Sequence, residues 1–122
     1  MHELSIAQAL VEQLEEIRKR EGASRIVRCR VAVGRLSGVD RGALEAAFPL
    51  AAEGWPIQPD ALDVREVPVS VRCRRCSAET RLEELDFRCS ACQSIEVDLA
   101  AGREIQLESV DLDVPEPEPD PA

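Results

Sequence analysis

Two Cys-x-x-Cys pairs, Cys73 with Cys76 and Cys89 with Cys92, constrain this chain more than any other feature. Each pair can place two sulfurs on one tight turn, and two such knuckles complete a tetrahedron. Thiolate donors in that geometry suit Zn(II). With protein sulfur at all four positions, nothing is left open for a substrate or an activated water, which predicts a structural ion. Disulfides and an iron centre on the same four sulfurs are the alternatives. The paired spacing favours metal over disulfides, and iron sites of this kind usually come with an aromatic-rich core, whereas aromatics make up only 2% of this sequence. The surrounding lobe offers Leu82, Leu85, Phe87, Ile95 and Val97 as apolar content. That is too little core to fold unaided, so metal binding has to supply folding energy. Arg72, Arg74 and Arg75 crowd the first knuckle, where positive charge would favour thiolates, or they are only a soluble surface; the sequence supports both readings equally.

The rest of the chain alternates helical and strand periods. Leu4, Ala7, Leu10, Val11, Leu14 and Ile17 predict an amphipathic helix to Glu21, stopped by Gly22. Glu15 with Lys19 and Glu16 with Arg20 are spaced to pair along it. From Ile26 to Val33 the period becomes two, with Val27, Cys29, Val31 and Val33 on one face. Cys29 is therefore read as a buried, inert core residue. Asp40 is a plausible N-cap for a second helix carrying Leu44, Ala47, Phe48 and Ala51, in which Pro49 should cause a bend or break. Leu62–Val67 reads as a strand, Pro68 as a boundary, and Ile105, Leu107, Val110 and Leu112 as a last strand with a bulge near Ser109. Residues 115–122 alternate proline with acidic residues and predict a disordered tail.

A net charge of -9 with few aromatics argues against nucleic acid as a partner. No apolar run approaches the roughly 18 residues a membrane span needs, and the start carries Glu3 in place of a basic leader, so a soluble cytoplasmic protein is expected. A hydrolase is disfavoured, because no Cys–His pair can form away from the amino terminus.

The sole histidine is His2. The α-amino nitrogen of Met1 with the amide and imidazole nitrogens of His2 can close a five- and a six-membered chelate ring, and Glu3 can add a fourth donor. Nitrogens in a plane suit Ni(II) or Cu(II) better than Zn(II). On position alone, a histidine after the initiator more often carries no function.

The opening Met1-His2-Glu3-Leu4-Ser5, the stretch Val33, Gly34, Leu36, Ser37, Gly38, Val39, the segment Ala51-Ala52-Glu53-Gly54, the two cysteine pairs and Ala101-Gly102-Arg103-Glu104 together resemble the HypA/HybF family of nickel metallochaperones, over Met1 to about Leu112. The resemblance implies an α+β fold: a nickel domain of two helices and a three-stranded sheet over residues 1–67 and 99–114, with a zinc-ribbon lobe inserted at 68–98. It implies a non-enzymatic carrier that binds Ni(II) through Met1, His2 and Glu3 and Zn(II) through the four cysteines. The implied partners are a HypB-type GTPase and the large-subunit precursor of [NiFe] hydrogenase. Monomer or homodimer stays open. Ser90 and Gln93 stand where the family often has proline and glycine in its second knuckle. The competing reading is a zinc-ribbon adaptor for another protein or a nucleic acid.

Overall fold

Helix α1 (Glu3–Glu21), strand β1 (Arg25–Gly34), helix α2 (Arg41–Ala52) and strand β2 (Leu62–Val67) come first along the chain, then β3 (Val69–Cys73), β4 (Glu79–Leu82), β5 (Val97–Ala101) and β6 (Ile105–Asp113). This computed structural model describes residues 3–115; Met1, His2 and the tail from Glu116 onward lie outside the described residues.

Helix α1 ends as its sequence requires. Gly22 adopts φ 65°, its N–H donates to the Lys19 carbonyl, and the Ala23 N–H donates to the Arg18 carbonyl. This pair of hydrogen bonds satisfies the last turn. The expected Glu15–Lys19 pairing is replaced by Glu15 with Arg18 at 2.8 Å. Arg18 also reaches the Ala23 carbonyl, so one guanidinium serves both the helix end and a carboxylate that is nearly buried.

Strand β1 is the centre of a three-stranded sheet ordered β2-β1-β6. It runs parallel to β2, reached through α2, and antiparallel to β6. Its phase differs from strict alternation: Ile26 is fully buried while Val27 is 43% exposed. The register against β6 skips Val27, a bulge that turns this residue off the apolar face. A second slip leaves Glu108 unpaired beside Ser109, at the place where the sequence predicts a bulge. Pro49 does not break α2, which runs on to Ala52. Pro49 and Glu45 lie on the exposed side of the helix, where water can take up the Glu45 carbonyl that the missing N–H would have met.

The two helices share a core with the sheet: Leu10 and Leu14 of α1, Ile26, Val31 and Val33 of β1, Leu44 and Phe48 of α2, and Val64 of β2. Burying such a side chain stabilises by about 1.5–3 kcal/mol. The opposite face of the sheet is charged. Arg30, on the central strand, lies 4.0 Å from Asp63 of β2 and 3.4 Å from Asp111 of β6. Arg65 of β2 meets Glu108 of β6 at 2.9 Å by two bonds, across β1 at the level of the small Ala32.

Strands β4, β3 and β5 form a second antiparallel sheet in that order. Its core is small: Val69, Val71 and Leu82, with Leu36, Val97 and Leu99 packed around them. Leu85, Phe87 and Ile95, expected to fill it, are exposed instead. They belong to the segments around the second knuckle, outside the sheet, where the chain turns about the sulfurs and leaves no apolar surface to cover them. The pairing of β5 with β3 continues to Ala101, so the chain leaves the second sheet at Gly102.

Direct backbone bonds join the sheets. The Gly34 N–H donates to the Glu104 carbonyl at 2.6 Å, Leu36 N–H to Gly102 at 2.7 Å and Arg35 N–H to Val67 at 3.0 Å. A Cβ on Gly34 would stand 2.2 Å from the Gly102 carbonyl oxygen, so only glycine fits this approach. The Glu104 carboxylate accepts the N–H groups of Gly102 and Arg103, bonds that hold its pKa below the usual carboxylate range.

Candidate metal centre

Cys73 is the last residue of β3, and the turn after it folds back on its sulfur. The N–H groups of Arg75 and Cys76 point at Cys73 Sγ at 3.3 and 3.5 Å. The Ser77 N–H donates to the Cys73 carbonyl and the Cys73 N–H to the Ala78 carbonyl. The second knuckle repeats this plan: Gln93 N–H donates to the Cys89 carbonyl and Cys89 N–H to the Ser94 carbonyl. In both, the residue after the second cysteine sits in the left-handed region, Ser77 at φ 64° and Gln93 at φ 63°. Glycine takes that conformation without steric cost, so Gln93 carries strain of roughly 1–2 kcal/mol there.

Ser90 is compensated. Its N–H, which proline would lack, donates to Thr80 Oγ1 at 3.2 Å, and the two hydroxyls lie 3.0 Å apart. The second knuckle is thereby tied to β4. Thr80 is a functional contact that the sequence does not reveal; a threonine in an alternating strand gives no sign that its hydroxyl meets a turn ten residues on.

The four sulfurs converge. All lie within 4.8 Å of one another, with Cys73 to Cys92 at 3.6 Å and Cys76 to Cys89 at 3.4 Å. A tetrahedral zinc–thiolate site with bonds of about 2.3 Å has sulfur–sulfur edges of about 3.8 Å. The donor set fits a divalent soft ion: four sulfurs, arranged so that each knuckle faces the other. Backbone N–H groups of Cys76 and Arg75 lower the Cys73 pKa to about 6. Those of Cys92 and Ala91 lower Cys89. Cys76 is pushed up to about 12: the Ala78 N–H opposes the shift, but hydrogen bonding to the Cys89 sulfur and burial outweigh it. Cys92 rises too, the opposing Ser94 N–H being outweighed by the contact with Cys73 and burial.

The arginines follow the second of their two readings, a solvated surface. Arg72 pairs with Glu79, Arg74 with Asp98 and Arg75 with Glu96, at 3.3–3.6 Å and largely exposed. Main-chain N–H groups, not guanidinium side chains, bear on the thiols. Cys29 is separate from this group, sealed in the first core, where burial and, secondarily, Asp63 push its thiol up to about 12.

Glu3 opens α1 and its carboxylate accepts the Asp40 N–H at 3.1 Å. That bond lowers its pKa. Asp40 in turn caps α2, its carboxylate accepting the Ala43 N–H at 2.9 Å. The position of Glu3 is therefore fixed against the second helix. Met1 and His2, its expected companions in a nickel site, lie outside the described residues.

Three comparisons bear on this arrangement. A family model described as hydrogenase/urease nickel incorporation, metallochaperone, hypA matches residues 1–112. The hydrogenase maturation factor HypA of Nitrosospira multiformis is 35% identical over 112 residues, covering 92% of this chain and 97% of the relative. That of Chloroflexus aurantiacus is 38% identical over 112 residues, covering 91% and 98%. The solution structure of the Ni metallochaperone HypA from Helicobacter pylori superposes with a TM-score of 0.66 at 30% identity, covering 94% of this chain and all of that one.

Proposed function

Because the chain belongs to the HypA family of nickel-incorporation metallochaperones, we propose that it binds Ni(II) at its amino terminus and hands it to the large-subunit precursor of [NiFe] hydrogenase. The observation that carries this reading is the family match across residues 1–112 of a chain whose only histidine is His2. The Met1 amine, the amide and imidazole nitrogens of His2 and a donor from Glu3 are the ligands this start can offer. A site built on nitrogens that must lose protons to bind releases its ion readily, which suits a carrier. The Glu3 carboxylate accepts the Asp40 N–H, which holds the start of α1 against the second helix.

Cys73, Cys76, Cys89 and Cys92 would hold Zn(II), which supplies folding energy to a lobe with little core of its own. Four protein donors leave no vacancy for chemistry, in keeping with a carrier that is not an enzyme. A HypB-type GTPase is the proposed partner in delivery, in the cytoplasm. No helix among the described residues is long and apolar enough to cross a membrane.

The reading is tested by adding two residues before Met1. The extended protein should keep one equivalent of zinc and lose stoichiometric nickel binding, measured by metal analysis after equilibrium dialysis. Full nickel loading of the extended chain would refute the site.

A further inference from the structure

Helices α1 and α2 start side by side, where the Glu3 carboxylate accepts the Asp40 N–H, and further along they line a common groove. The groove, of about 420 Å³, is bounded by Gln8, Val11 and Glu12 of α1, by Leu50 and Ala51 of α2, and by Trp55 just beyond. Leu50 is 68% exposed and Trp55, the only tryptophan, 43%. Leu4, one turn before Gln8 on the same side of α1, is 45% exposed. A single exposed leucine needs no explanation, but three large apolar side chains along one groove mark a surface that a partner covers.

The rim of the groove carries charge of one sign. Leu4, Gln8, Glu12 and Glu16 follow at intervals of four, which sets them in one exposed row along α1. Beyond the groove, Glu53 shares an adjoining cleft with Leu50 and Trp55. Glu12, Glu16 and Glu53 take part in no ion pair among the described residues. Arg25 lines the adjoining cleft and not the groove itself. A second copy of the chain is therefore a poor occupant: a two-fold contact presents the same patch to itself, and would set these carboxylates against their own kind. A cation brought among them is attracted by all three.

We propose that the groove between α1 and α2 docks a basic amphipathic helix of a partner protein. A third helix fits between two others by setting its side-chain ridge into the groove they form, and its apolar residues at three-four spacing meet Leu50 and Trp55. Its lysines or arginines then face Glu12, Glu16 and Glu53. Trp55 is the anchor of this surface, because a large rigid ring gives up much area to a partner at little cost in side-chain freedom. The carboxylates steer and select the partner, while the apolar contact sets how long it stays. This docking surface does not depend on the nickel site.

Because Trp55 is the sole indole, its emission reports on the groove alone. The probe is an amphipathic peptide of about 15 residues with leucines on one face and lysines on the other; its control carries glutamates in place of the lysines. Each is titrated into zinc-loaded full-length protein and three variants: Leu50→Gln, Glu12→Lys with Glu53→Lys, and Glu83→Lys with Glu84→Lys. Far-ultraviolet circular dichroism is the folding control. The lysine peptide should shift the emission to the blue with a micromolar Kd, and the glutamate peptide should not. Leu50→Gln should raise that Kd about tenfold, by removing an apolar contact. The groove charge pair should also raise it about tenfold at low salt, whereas the pair in the second domain, which changes net charge equally, should stay within about twofold. An unshifted emission would overturn the docking surface. So would a Kd that Leu50→Gln leaves unchanged, or equal weakening by the two charge pairs, which would reduce the binding to general attraction for an acidic protein. Emission of the protein alone that changes on dilution, with a dimer that Leu50→Gln dissolves in sedimentation, would give the groove to a second copy and overturn the proposal.

Discussion

Strand β1 and strand β3 are each the middle of a three-stranded sheet, but what covers them differs. Over β1 lie two helices, so Leu14, Ile26, Leu44 and Phe48 are closed off from water. Over β3 there is no helix. Val69, Val71 and Leu82 are buried against Leu36, Val97 and Leu99, while Leu85, Phe87 and Ile95 face solvent. One sheet is held by apolar area and the other by two turns that meet at four sulfurs. A core of that second size falls short of the conformational entropy of ordering some thirty residues, at about 1–2 kcal/mol each, so the difference shows which part of the chain depends on a bound ion.

The widest separation between the two regions should come from breaking the sulfur cluster. Replacing Cys89 by Ser, or removing metal with a strong chelator, should unfold the segment from Cys73 to Ile95 while α1, β1 and α2 stay folded. Hydrogen exchange read by mass spectrometry checks this directly: protection lost across the lobe, protection retained for Leu10–Leu14 and Ile26–Val33. Loss of protection throughout the chain would mean that the first domain leans on the lobe.

The reciprocal change is Phe48→Ala. Phe48 is the sole aromatic residue in the first core and fully buried, so its truncation should cost about 3–5 kcal/mol in denaturant unfolding of that domain. Zinc content should not change. Zinc lost in proportion to stability would show the two regions folding as a single unit through the Gly34–Gly102 junction.

Smallest in size, and confined to the lobe, is the effect at Gln93. Gln93→Gly removes the left-handed strain and, after glycine's greater freedom in the unfolded chain offsets part of it, should stabilise the zinc-loaded lobe by up to about 1 kcal/mol, whereas Gln93→Val should destabilise it, since a branched side chain tolerates positive φ poorly. The rate of zinc loss to a competing chelator orders the three proteins: Gly slowest, Gln next, Val fastest. Any other order would remove strain at this turn as the explanation.

Much of the first domain is legible in the sequence because its signals are local. The three-four spacing from Leu4 to Ile17, the Gly22 stop and the Asp40 cap are written within one or two turns of chain, and the structure uses each of them. The convergence of the four cysteines is legible because spacing alone places two sulfurs on a knuckle. What escapes depends on partners distant in sequence. The bulge that turns Val27 outward is set by the register against Asp111 and Leu112. The continuity of α2 through Pro49 depends on which side of the helix is wet. Arg72, Arg74 and Arg75 look like a cationic cluster until Glu79, Asp98 and Glu96 are brought beside them by the strand pairings. Leu85, Phe87 and Ile95 look like core until the knuckles pull their segments off the sheet. Thr80, which anchors Ser90, carries no local sign at all.

The two proposed metal sites sit on the two sides of this comparison: one built from side chains that hold a lobe together, the other from the start of a helix that is folded without it. Calorimetric titration of Ni(II) into untagged zinc-loaded protein and into its His2→Ala variant tests that division most directly. The account predicts one equivalent bound to the parent chain, none of comparable affinity to the variant, and an unchanged zinc content in both. Equal nickel binding by the two proteins, or nickel uptake matched by release of zinc, would contradict it.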